Sequence, residues 1–123
     1  MIATLLLMTL AGTPGPQMHI SVAKLTASEQ KPAVGKVMAS QLEALKGCYD
    51  LALKDSPQLK GQLTLTFALE PRQSSPDALT LDEGSSLQDG TVSSCVMARL
   101  RATEWPKPKK HSQVAVTLDF SVR

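Results

Sequence analysis

Gly61-Gln62-Leu63-Thr64-Leu65-Thr66-Phe67-Ala68-Leu69 is the stretch that decides the fold. In an extended chain, Leu63, Leu65, Phe67 and Leu69 fall on one side, and Gln62, Thr64 and Thr66 on the other. A strand with one apolar and one polar face belongs to an antiparallel sheet with one face open to water. The same alternation returns in Gln113-Val114-Ala115-Val116-Thr117-Leu118-Asp119-Phe120-Ser121-Val122, where Val114, Val116, Leu118, Phe120 and Val122 share the buried side. After the first strand, Pro71 to Pro76 reads as a turn, and Ala78-Leu79-Thr80-Leu81-Asp82 as a shorter returning strand.

Two segments carry the other period. From Ala33 to Lys54, the residues Val34, Val37, Met38, Leu42, Leu45, Cys48, Tyr49 and Ala52 recur at spacings of three and four, which predicts a helix. Ser56-Pro57 stops it, because a proline pushes the preceding residue out of the helical region. Asp89 is a good N-cap for a second helix carrying Val92, Cys95, Val96, Leu100 and Thr103, ended before Trp105-Pro106-Lys107-Pro108. Upstream of the first helix the pattern is mixed, and only a short strand from His19 to Leu25 suggests itself. The order helix, hairpin, helix, strand defines an α+β fold, with two helices packed on one face of a three-stranded antiparallel sheet. Trp105 plugs the end of the second helix.

Both cysteines, Cys48 and Cys95, lie on the apolar faces of these helices. They are too far apart for a C-x-x-C redox motif, and His19 and His111 do not accompany them at metal-ligand spacing. The sheet arrangement brings the two helices side by side, so the reading is a disulfide between them. That bond places the chain outside the reducing cytoplasm. The alternatives from the same residues are two free buried thiols, or a redox-active pair in a thiol–disulfide protein.

At 123 residues and 42% hydrophobic content the chain has enough material for one packed domain. Only 3% of it is aromatic, so the core is built from Leu, Val, Ala and Met. A net charge of +2 is too weak to imply nucleic acid as a partner. Met1 to Ala11 is an apolar run about half as long as a bilayer span, and it fits the core of a secretory signal peptide. The other readings of that run are a buried N-terminal strand or helix, or a start codon assigned too far downstream. Residues 12–32, opening with Gly12-Thr13-Pro14-Gly15-Pro16, read as linker and N-terminal extension, and the domain itself as 33–123. No nucleophile, metal or acid–base constellation stands out, so a non-enzyme without a cofactor is expected. Lys107, Lys109 and Lys110 form a short basic loop suited to acidic lipid headgroups, an anionic cell-wall polymer or an acidic partner, and otherwise read as a solvated loop.

Some of these residues also resemble a known family. Cys48-Tyr49-Asp50-Leu51-Ala52-Leu53, then Pro57-Gln58-Leu59-Lys60-Gly61 leading into the strand, is similar to the start of the AgmX/PglI C-terminal domain. Ser86-Leu87-Gln88-Asp89-Gly90-Thr91-Val92-Ser93-Ser94-Cys95, and Trp105-Pro106-Lys107-Pro108 before a Val-rich strand, resemble its second half. The likeness covers roughly residues 34 to 123. One departure is that Pro71 to Pro76 stands where the family has a tight Asp-Gly-type turn. The resemblance implies an architecture like the C-terminal domain of TonB. It also implies a periplasmic or surface protein-interaction module of the cell envelope, of the kind tied to energy transduction or gliding motility. Such domains add a strand to an extended segment of a partner. On that basis the contact is expected at an exposed edge, either Leu63 to Leu69 or Gln113 to Val122, with Gln113, Ala115 and Thr117 among its residues. A secreted inhibitor or adhesin held by the same disulfide is a further reading.

Overall fold

The computed structural model describes residues 17–87 and 89–122. The expected signal peptide at 1–11 and the start of the linker lie outside them. Six elements follow one another: β1 (Met18–Ala27), α1 (Lys31–Asp55), β2 (Gly61–Leu69), β3 (Asp77–Leu81), α2 (Gly90–Ala102) and β4 (Ser112–Val122). The sheet is antiparallel throughout, in the order β1-β4-β2-β3. It has four strands where three were expected, because β1 pairs with β4 along its whole length, from Met18 opposite Val122 to Ala27 opposite Val114. The folded unit therefore includes β1, which lies inside the segment read as linker and extension.

The order of the strands follows from the connections. β1 and β2 run parallel, joined by α1, with β4 between them; β3 and β4 run parallel, joined by α2, with β2 between them. Two interleaved split βαβ units result. Their central strands are β2 and β4, the two with the cleanest alternation. Leu63, Leu65, Phe67, Val114, Val116, Leu118 and Phe120 are all buried and form one core with Val34, Met38, Leu45 and Tyr49 of α1 and Val92, Val96 and Leu100 of α2. Thr64, Thr66, Ala115 and Thr117 face away from it.

Two local devices fix the ends of the elements. Asp89 caps α2, its carboxylate accepting from the Val92 N–H at 3.0 Å. At the other end, the Leu100 carbonyl accepts from the C-cap N–H of Thr103 (3.3 Å) and from the Trp105 indole (3.0 Å). The Trp105 backbone N–H donates to Ser74 O (2.7 Å), tying the exit of α2 to the β2–β3 turn.

Gly61 opens β2 with φ at +145°, and Leu87 lies against it: a Cβ there would meet the Leu87 nitrogen at 3.0 Å and its Cα at 3.1 Å. That approach lets Leu87 N–H donate to Gln62 O and places Ser86 Oγ against the Gln62 N–H, so the loop before α2 docks on the first residues of β2. Backbone on both sides leaves little room to relax. Gly61→Ala is expected to destabilise by roughly 2–3 kcal/mol, read as a lower urea midpoint with unchanged slope.

Candidate interaction surfaces

The disulfide is formed. Cys48, in the third quarter of α1, is bonded to Cys95 in the middle of α2, with 5.5 Å between their Cα atoms. Cys48 is buried and Cys95 half-buried. Helical periodicity alone puts both on the faces where α1 and α2 meet.

The expected strand edges are not edges. Gln113, Ala115 and Thr117 lie in β4, which is hydrogen-bonded to β1 on one side and β2 on the other; β2 in turn lies between β4 and β3. Their backbones are already committed, so a partner strand cannot add along 113–122 or 63–69. What reaches solvent is the outward row of side chains. Gln113 is exposed, Ala115 sits between Thr26 and Thr66, and Thr117 shares a 3.0 Å hydroxyl hydrogen bond with Thr64. A second such bond joins Thr66 to Thr80 (2.8 Å), and the Gln62 amide reaches Asp119 at 3.4 Å. These cross-strand pairs knit the open face of the sheet.

The true edges are β1 and β3. β3 is five residues long; its pairing with β2 slips between Thr66 and Ala68, and Ala78 takes φ +53°. It offers a poor template. β1 is twice as long, with a single irregularity between Val22 and Lys24. Among the described residues no strand covers its outer side. The irregularity also explains the unreadable pattern upstream of α1. Met18, Ile20 and Val22 turn toward the core, the bulge shifts the phase by one, and Leu25 and Ala27 take over.

Lys107, Lys109 and Lys110 are exposed on the loop between α2 and β4, with Pro108 buried among them. His111, which ends this loop, pairs with Glu70 after β2. Across the molecule a cleft of about 400 Å³ lies beside the start of α2, lined by Asp82, Glu83, Ser85, Leu87, Asp89 and Ser93. Among the described residues no His, Cys, Asp and Glu side chains come together in threes to hold a metal, and no helix is long and apolar enough to cross a membrane.

Among the described residues, Tyr49 is the buried group with an ionisable proton. Its ring meets Phe120 edge-on at 5.2 Å and its hydroxyl donates to the Leu59 carbonyl, closing the turn between α1 and β2. Burial, and secondarily the charge of Asp119, raise its pKa above the usual 10. The folded state then holds its phenolic proton at a pH where the unfolded chain has begun to release it, so stability falls as pH rises past about 10. In Tyr49→Phe this contribution to the alkaline fall is gone, while near neutral pH the variant loses about 1 kcal/mol for the orphaned carbonyl. Urea titrations between about pH 8 and 11 would show the two curves converging.

Together these features describe a small α+β domain with a disulfide between its helices, an open polar sheet face and one long edge that no described strand covers. No family model, curated protein or solved structure matches the chain.

Proposed function

We propose that this chain is an exported, non-catalytic interaction domain of the cell envelope, which takes an extended segment of a partner protein along the outer edge of β1. The observation that carries this is the ten-residue β1 at one rim of the sheet, against a β3 half its length at the opposite rim. Backbone groups on that rim offer a partner main-chain hydrogen bonds without disturbing the core, the usual basis of strand addition. The disulfide supports an oxidising location such as the periplasm or cell surface, where such bonds persist. The likeness to AgmX/PglI C-terminal domains, and through them to TonB-like modules, points to the same compartment and kind of work. The edge in question is β1 rather than β2 or β4.

The test is site-specific photo-crosslinking in the expressing cell. Probes at Ser21 and Thr26 report on β1, and one at Thr80 on β3. The expected result is a crosslink from β1 to an extended stretch of an envelope protein, with Thr80 silent. Equal labelling from both edges, or none from β1, would overturn the edge assignment. Fractionation by osmotic shock tests the location separately, and recovery of the chain in the cytoplasm with free thiols would refute export.

A further inference from the structure

The connections that interleave the strands also sort the charges. Ala27, Leu69, Asp77 and Ser112 lie at one end of the sheet, and Met18, Gly61, Leu81 and Val122 at the other. α2 enters from the second end, where Leu87 is bonded to Gln62, and leaves at the first, where Trp105 is bonded to Ser74. The first end thereby collects the turn bearing Arg72, the last turn of α2 with Arg99 and Arg101, and the loop with Lys107, Lys109 and Lys110. Among the described residues none of these six has a carboxylate within ion-pairing distance. Of the acids there, Glu70 is taken by His111, leaving Glu29, Asp77 and Glu104. The opposite end carries Asp55, Asp82, Glu83, Asp89 and Asp119 against Lys54 and Lys60, and holds the cleft beside α2. Among the described residues the two ends of the sheet thus carry opposite charge.

We propose that the chain associates head to tail, the basic end of one copy docking on the acidic end of the next. A second copy of the chain is the partner best matched to it, because this molecule itself supplies the complementary surface. The basic loop is pre-shaped for such a contact: buried Pro108 anchors it, and Lys107, Lys109 and Lys110 stand out on either side. An anionic bilayer is less well matched, since Trp105 is buried and no aromatic side chain at that end is free to insert. The contact is heterologous, so a pair of copies still has one basic and one acidic end to offer, and further copies add in series, as an open chain or a ring. Built from exposed charges, it is weak and sensitive to salt.

Sedimentation equilibrium of the full oxidised chain at low salt tests this. The expected result is a mass that climbs past the dimer with concentration. It should return to monomer between about 0.02 and 0.3 M salt, as the screening length shrinks from roughly 20 to 6 Å. Two charge-neutralised variants make the test directional. Lys107→Gln/Lys109→Gln/Lys110→Gln removes the basic loop, and Asp82→Asn/Glu83→Gln removes part of the acidic end; all five positions are exposed, so the fold is retained. Each variant alone should stay monomeric, while an equimolar mixture should form dimers that grow no further. A wild-type chain that stays monomeric at low salt would overturn the proposal. So would self-association surviving in either variant, or a mixture that fails to pair. Wild type that is monomeric yet binds phosphatidylglycerol vesicles through the same lysines would assign the basic end to lipid instead.

Discussion

Replacing both cysteines by alanine, Cys48→Ala/Cys95→Ala, is expected to lower the unfolding free energy by about 4 kcal/mol, and reduction of the wild-type chain should do the same. The bond spans 47 positions, and in the chain-entropy account a closed loop of that length is worth about 4 kcal/mol through the unfolded state. Against a total of roughly 5–15 kcal/mol for a domain, the loss is large. Alanine is chosen because Cys48 is fully buried, and serine would add an unsatisfied hydroxyl to the effect being measured. Urea unfolding of the oxidised, reduced and double-alanine proteins gives the comparison. If the three midpoints coincide, the bond is not a staple, and a redox role for the pair gains ground. A reduction potential below about −300 mV would agree with the structural role.

The second large effect falls on Trp105→Ala, with an expected cost of about 3–5 kcal/mol. Trp105 is 2% exposed, and its ring lies 5.0 Å from that of Phe67. Its loss leaves more than a cavity. The Leu100 carbonyl loses the indole donor, and the loop loses the shape that aligns its backbone with Ser74. Trp105→Phe separates the contributions: it keeps the apolar contact but not the indole donor, and should lose about a third as much. Thermal unfolding followed by near-ultraviolet circular dichroism reads both variants. A Trp105→Ala midpoint within a few degrees of wild type would show the plug to be dispensable.

The readable parts of this sequence were those where one periodicity runs unbroken. β2 and β4 alternate without interruption, α1 and α2 keep three-and-four spacing, and Asp89 stands where a cap is needed, so elements, core faces and cysteine pairing followed together. β1 was legible only as a short strand, because its bulge changes the phase of alternation halfway along and hides a ten-residue strand as two fragments. Strand order was harder still. Alternation says which face of a strand is wet but not whether its flanks are paired, and the mistaken edges at 63–69 and 113–122 came from that gap. A signal did exist. The outward residues in the middle of β2 and β4, Thr64, Thr66, Ala115 and Thr117, are small or β-branched and uncharged, as suits strands with neighbours on both sides, whereas β1 carries Lys24 and a bulge, devices that guard an edge. The charged ends were invisible because their residues come from segments far apart in sequence, brought together only by the interleaved connections.

The position of β4 has a consequence for the timing of folding. It is the last of the described elements to be synthesised, yet it forms the centre of the sheet, with β1 on one side and β2 on the other. Until it is made, β1 has no partner, and α1 can cover only part of an apolar face. At roughly 5–20 residues per second the chain therefore spends on the order of 10 s unable to close. An unfinished chain of this kind stays open and closes only once β4 is available. Placing the keystone last gives the nascent chain a built-in delay.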